Sequence, residues 1–206
     1  ENRFFRLIHD GPRLVAGDEI ERGVQRVTPL PNSDTVALPL WSQWGERERL
    51  LLMDLGTGEK VGEAAVPGCR NLFEVEVIGD RFVALCEVSH SLHELDLVDP
   101  HRAGRSVVLP GMDSYDMALD PQSSKAWISD WFSPYLVEVD LESFTVARKR
   151  WIGFSSFGVA LGPDGNLYVA QMFWRRVRVL NPATLATVRT LKAGYGPRDL
   201  AFAPER

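Results

Sequence analysis

The sequence predicts an all-β chain of repeated four-stranded antiparallel sheets, on three observations. First, five apolar, strand-like runs end in an Asp or Asn that opens a turn: Asp10, Asp54, Asp96, Asp140 and Asn181, spaced by 44, 42, 44 and 41 residues. Second, Gly68, Gly111, Gly153 and Gly194 recur at intervals of 43, 42 and 41. Third, strand signals run throughout the intervals. A strand-filled period in the low forties marks a toroidal array. A single four-stranded meander of about 42 residues leaves its faces uncovered. Stacking such units face to face around an axis covers them, and that arrangement is the β-propeller.

The unit over 154–194 shows the element order most plainly. Phe157–Leu161 alternates and stops at Gly162-Pro163-Asp164-Gly165, and Leu167–Ala170 is rich in β formers. Arg176–Leu180 alternates charged and apolar residues before Asn181-Pro182, and Thr187–Leu191 closes the unit ahead of Gly194. We call these strand positions A to D. First strands end likewise near Pro31, Asp120-Pro121 and Ala203-Pro204, with Gly79-Asp80 in the same place. The recurrent Asx and Gly residues are structural, because tight turns need local hydrogen bonds and positive φ.

The whole chain, 1–206, reads as a single propeller domain with units near 1–22 (partial), 23–68, 69–111, 112–153, 154–194 and 195–206 (partial). Glu1–His9 reads as a C strand and Asp199–Ala203 as an A strand, so four complete blades and one partial blade are expected. Positions A, C and D occur five times and B four times. Both ends fall at the same repeat position, which predicts a piece of a longer propeller of six to eight blades. A five-bladed ring with one three-stranded blade is the alternative.

Composition is ordinary for a globular chain, with 45 % hydrophobic and 25 % charged residues. No run of 18 apolar residues exists, so no membrane span is expected. Net charge is −5, and the densest basic cluster, Arg148-Lys149-Arg150, falls on an outer strand, where it reads as a solvated edge. Nucleic acid is therefore not an expected partner. Cys69 and Cys86 lack metal-ligand spacing. A turn at Gly79-Asp80 sets Phe73, rather than Cys69, opposite Cys86, so buried thiols are expected rather than a disulfide. Trp127, Trp151 and Tyr168 lie inside strands and are expected in the core.

The segment LYVA-x5-RVRVLNPATLATVRTLKAGYGPRDLAFAPE resembles the YVTN-type propeller repeat, and GVALGPDGNLYVAQ is also similar to NHL-type repeats. The resemblance spans about residues 3–206 and is strongest over 114–206, while the second and third units diverge. It implies a blade fold and a binding or scaffold role, often outside the cytoplasm, so a periplasmic or extracellular location is favoured. It brings no family-wide catalytic residues.

Loops from B to C and from D to A open on one face of a propeller, and here they carry the large side chains. The other face is dominated by Gly, Pro, Asn, Asp, Ser and Thr. Candidate binding residues are Trp41, Trp44, His90, Tyr115, Trp131, Phe132, Phe154, Phe173, Trp174, Tyr195 and Arg198. Aromatic rings and Arg dominate interface hot spots, so a protein, a peptide or a small ligand is expected at this mouth. No catalytic residue, cofactor or metal is assigned. His90 and His93 share an H-x-x-H spacing, but strand alternation sets i and i+3 on opposite faces. The enzymatic alternative is a metal-dependent lactonase- or gluconolactonase-like propeller, with Asp113, Asp116, Asp130, Asp199 and Asn71 around Ca²⁺. A third reading is a structural domain of a larger extracytoplasmic assembly.

Overall fold

The structure is a computed structural model that describes residues 3–10, 13–22, 24, 26–40, 48–96, 99 and 103–202. Its strands are β1 (Arg3–Asp10), β2 (Arg13–Arg22), β3 (Thr28–Pro29), β4 (Thr35–Leu40), β5 (Arg49–Asp54), β6 (Lys60–Ala65), β7 (Leu72–Ile78), β8 (Arg81–Cys86) and β9 (Ser91–Asp96). There follow β10 (Ala103–Val108), β11 (Ser114–Asp120), β12 (Lys125–Asp130), β13 (Tyr135–Asp140), β14 (Thr145–Trp151), β15 (Ser156–Leu161), β16 (Leu167–Gln171), β17 (Arg176–Leu180) and β18 (Thr187–Lys192). No helix occurs among the described residues. Sheets β3–β6, β7–β10, β11–β14 and β15–β18 are simple meanders of four strands, and β1 pairs with β2 alone. The fold is thus all-β, with four complete blades and one partial blade.

The periodic Asx residues close the hairpins between third and fourth strands. Asp54 Oδ1 accepts the Thr57 N–H at 2.7 Å, Asp140 Oδ1 accepts Ser143 N–H at 2.7 Å, and Asn181 Oδ1 accepts Ala183 and Thr184 N–H at 2.9 and 3.0 Å. Asp96 Oδ1 accepts the Asp99 N–H at 3.0 Å in the longer β9–β10 connection. Each side chain satisfies turn donors that strand pairing leaves over. These bonds, the backbone N–H of Thr57 or Ser143 foremost, hold the Asp54 and Asp140 carboxyls below the ordinary aspartate range.

Two compact units divide the chain: residues 1–89 with 93–105, and residues 90–92 with 106–206. In the first, the facing sides of β3–β6 and β7–β10 bury Ala37, Leu50, Leu72, Val75, Phe82, Ala84 and Leu95. Val36, Leu38, Leu51 and Met53 bury the other side of β4 and β5. In the second unit, Ala118, Trp127, Leu136, Val159, Leu167, Val169 and Leu180 form the core between β11–β14 and β15–β18. The first strand β15 is also tied by polar contacts to the first and second strands of the preceding blade, β11 and β12. Asp116 Oδ2 accepts the Val159 N–H at 2.7 Å, and the Ser129 hydroxyl donates to the Phe157 carbonyl.

A trio of charges recurs across the outer strands. Glu94 on β9 receives Arg81 at 2.6 Å and Arg105 at 2.7 Å; Glu138 on β13 receives Lys125 at 3.3 Å and Arg148 at 2.6 Å. Glu138 also accepts the indole N–H of Trp127 at 3.0 Å, which lets a nearly fully buried tryptophan keep its hydrogen bond.

Three expectations fail. Cys69 and Cys86 form a disulfide, with Cα atoms 5.5 Å apart. The reason is a β-bulge between Leu72 and Glu74, which puts Leu72 rather than Phe73 opposite Cys86 and turns the preceding loop toward it. Trp151 is 58 % exposed, because β14 is the outer strand of its sheet. Residues 197–202 are irregular rather than an A strand, since among the described residues no second strand lies beside them to complete a ladder. The segment still runs along the preceding sheet: a Cβ on Gly158 would stand 2.4 Å from the Arg198 carbonyl oxygen, and Phe202 packs edge-on to Tyr168 at 4.9 Å.

Candidate functional site

The second strand of each blade ends in a buried residue: Leu40, Cys86, Asp130 and Gln171, none more than 5 % exposed. From this place the side chain reaches back to the loop that enters its own blade. Cys86 bonds covalently to Cys69. Asp130 accepts the N–H groups of Met112 and Asp113 through Oδ2 at 2.8 and 3.0 Å, and that of Ser133 through Oδ1 at 2.5 Å. Gln171 Nε2 donates to the carbonyls of Ile152 and Gly153 at 3.0 and 3.2 Å, while its Oε1 accepts from Arg176 Nε at 2.8 Å. Leu40 pairs instead with Val24 by a backbone bridge. Glu48 performs the related task of seating Asn71 and Leu72, whose N–H groups it accepts at 2.9 and 3.0 Å.

These locks fix the loops that carry the candidate binding residues. Three of the four B-to-C connections are turns of four residues, 87–90, 131–134 and 172–175. The last is clamped by backbone bonds from Met172 to Ser155, from Arg175 to Met172 and from Ala193 to Arg175, and by a bond from Phe173 N–H to the Ser155 hydroxyl. His90 and Arg175 occupy the final position of their turns with φ of 48° and 49°. That left-handed conformation lets a four-residue turn close.

The aromatic residues sort into two groups. Trp131 stacks on Phe132 at 4.6 Å and leans on Phe157 at 5.0 Å, while Tyr115 meets Phe157 edge-on at 4.7 Å. Phe157 is buried, Trp131 and Tyr115 are half-buried, and Phe132 is exposed. The Arg198 guanidinium lies over the Phe157 ring at 5.4 Å. The second group surrounds an open cleft of ≈ 430 Å³ lined by Met172, Phe173, Arg175, Tyr195, Gly196 and Arg198. Phe173 is 69 % exposed and Tyr195 87 %. Arg175 covers the Tyr195 ring at 4.3 Å, and Arg198 Nε donates to Met172 Sδ at 3.4 Å. Arg198 therefore joins both groups.

Phe154 and Trp174 are exposed, the latter under the Arg176 guanidinium at 5.2 Å, and neither lines the cleft. His90 is half-buried; its carbonyl accepts the Leu109 N–H at 2.6 Å, and its Nδ1 is buried with no hydrogen-bond partner. Trp41 and Trp44 lie outside the described residues. Met172, Arg175 and Gly196 line the cleft without figuring among the sequence-derived candidates. Of the carboxylates in the metal alternative, Asp116 and Asp130 already accept backbone N–H groups. Among the described residues no three His, Cys, Asp or Glu side chains come together as a ligand set. His93 is buried, and burial lowers its pKa.

No protein-family profile and no curated protein matches this chain. Solved structures do resemble it, and they are β-propellers. A chain of the mitotic checkpoint complex aligns with a TM-score of 0.76 at 15 % identity, over 93 % of this chain and 58 % of that one. Kuenenia stuttgartiensis hydrazine synthase aligns with a TM-score of 0.70 at 16 % identity, over 82 % and 49 %. Citrobacter koseri AztD aligns at 0.60 and 14 %, over 91 % and 51 %. This chain thus spans roughly half the length of these neighbours, and the likeness establishes the propeller fold.

Proposed function

We propose that the chain is a binding scaffold rather than a catalyst, and that it holds a protein or peptide partner, or a smaller ligand, on its B-to-C and D-to-A loops. One observation carries the reading: Phe132, Phe154, Phe173, Trp174 and Tyr195 are each more than half exposed, yet the first four stand on short inter-strand turns held by buried hydrogen bonds, and Tyr195 is covered on one side by Arg175. Exposed rings in water are costly, and rigid loops limit the ordering entropy that association demands. Trp131 and Tyr115 support the rim from beneath, and we assign Trp41, Trp44 and His90 to the same surface on sequence alone. The mitotic checkpoint complex is by name an assembly, which supports a protein partner here.

We further read the repeats as YVTN- or NHL-like and the chain as a portion of a longer propeller, divided near residues 23, 69, 112, 154 and 195. The Cys69–Cys86 disulfide supports an oxidising, extracytoplasmic compartment. Selection of peptides from an unbiased displayed library against the full chain tests the binding role. Trp174→Ala and Phe173→Ser are expected to weaken the selected peptides by about 1 kcal/mol or more each, with unchanged unfolding midpoints. Peptides that bind both variants as tightly as the parent would remove the aromatic loops from the function.

A further inference from the structure

The last blade differs in charge from the rest of the chain. Between Asp164 and Asp199 there is no carboxylate, whereas Arg175, Arg176, Arg178, Arg189, Lys192 and Arg198 all fall there, in a chain of net charge −5. Strand register shows how the imbalance arises. Trp127 faces Glu138 across β12 and β13, and the matching pair across β16 and β17 is Tyr168 with Val179. The carboxylate that gathers two cations in the preceding blade is thus replaced by a valine. Arg189, in the place of Arg148, turns instead to the Tyr168 hydroxyl at 2.9 Å and to Asp164 at 3.6 Å. Burial, then the charges of Arg176 and Arg150, push the Arg178 guanidinium below its ordinary range.

Three of these cations, Arg176, Arg178 and Arg189, are committed to polar partners in the blade or the loop that enters it. Arg176 bonds Gln171 and covers Trp174, and Arg178 donates to the Ile152 carbonyl at 2.9 Å. Two are not. Arg175 and Arg198 touch only an aromatic face and, for Arg198, a thioether, and neither has a carboxylate partner among the described residues. Both line the ≈ 430 Å³ cleft, together with Phe173, Tyr195 and Met172. A guanidinium fork takes a carboxylate in bidentate fashion, and an apolar wall beside it strengthens the bond by excluding water.

We propose that this cleft receives an acidic peptide segment, with one or two Asp or Glu carboxylates on Arg175 and Arg198 and an adjacent apolar side chain against Phe173 and Tyr195. The inference rests on the binding role assigned above and names its partner's chemistry. A nucleic acid fits less well, because a phosphate polymer needs a track of cations and only two are free at the cleft.

The test uses the peptides selected from the unbiased library on the full chain. Those that lose affinity with Phe173→Ser are expected to be rich in Asp and Glu beside an apolar residue. They should weaken about tenfold with either Arg175→Gln or Arg198→Gln, and again between about 50 and about 500 mM NaCl. Lys149→Gln, on β14, should leave them unchanged. Neutral or basic peptides that bind through Phe173 and ignore both arginine variants would overturn the acidic partner while leaving the binding role intact. Peptides indifferent to Phe173→Ser, Trp174→Ala and both arginine variants would overturn both. Stronger competition from a thymidine 15-mer than from the acidic peptide would overturn the proposal in favour of a nucleic acid. Tighter binding of the phosphoserine version would reassign the cleft to phosphate.

Discussion

In the blade β7–β10 the residue ending the second strand is Cys86, and in β11–β14 and β15–β18 it is Asp130 and Gln171. All three sit buried in the same structural place and hold the loop that leads into their own blade, by a covalent bond, by two N–H groups on a carboxylate that also takes a third from the following turn, and by an amide bridging two carbonyls. The fold requires that the loop be held and leaves the chemistry of holding free. The choices have different consequences. A disulfide is indifferent to salt and sensitive to reductant, whereas the polar locks fix loops whose exposed aromatic tips carry the proposed binding surface.

The sharpest way to break this ordering is to cut the covalent lock. Reduction, or Cys86→Ser together with Cys69→Ser, should lower unfolding free energy by about 2–4 kcal/mol, for a bridge closing a short loop. Urea titrations with and without dithiothreitol measure it, and identical midpoints would show that the disulfide is idle. Asp130→Ala comes next at about 2–3 kcal/mol, because it leaves three backbone N–H groups, one of them fully buried, without their charged acceptor, and Asp130→Asn should recover part of the loss. Gln171→Leu should cost about 1–2 kcal/mol, since its buried bonds are neutral amide–carbonyl ones and its charged partner Arg176 is only part-buried and can turn to water. A larger loss for Gln171→Leu than for Asp130→Ala would reverse the proposed ranking.

The smallest effect contrasts Asp140 with Asn181, which cap equivalent turns with and without a titratable group. The folded-state pKa of Asp140 is depressed, so its contribution is fully present above its unfolded value of about 3.9 and is lost as pH falls through the lower folded one. Thermal midpoints should therefore decline below about pH 4, and slightly less steeply in Asp140→Asn. An unchanged acid slope in that variant would assign the decline to other carboxylates.

What was legible in the sequence was local or periodic. The Asx turns announce themselves because one side chain and the next three residues suffice to build them. Blade order follows from their recurrence. The disulfide was hidden because the bulge after Leu72 shifts register by one residue, and nothing in the local pattern marks it. Trp151 misled because its strand signal is the same as that of Trp127, while exposure depends on lying at the outer edge of the sheet. The aromatic loop residues were visible as a set, and Phe173, Tyr195 and Arg198 do share a cleft. Arg175 escaped notice because its place depends on its own left-handed backbone conformation, although the acid-free stretch around it was there to be read.

The Cys69–Cys86 bridge has a consequence for biosynthesis. Its partners are 17 residues apart and are the only two cysteines in the sequence, so no alternative pairing exists within the chain. Closure needs only the segment between them, and it can occur on a nascent polypeptide before anything downstream has been translated. An oxidant met during synthesis would thus install the crosslink early, and later blades would assemble onto a hairpin already stapled.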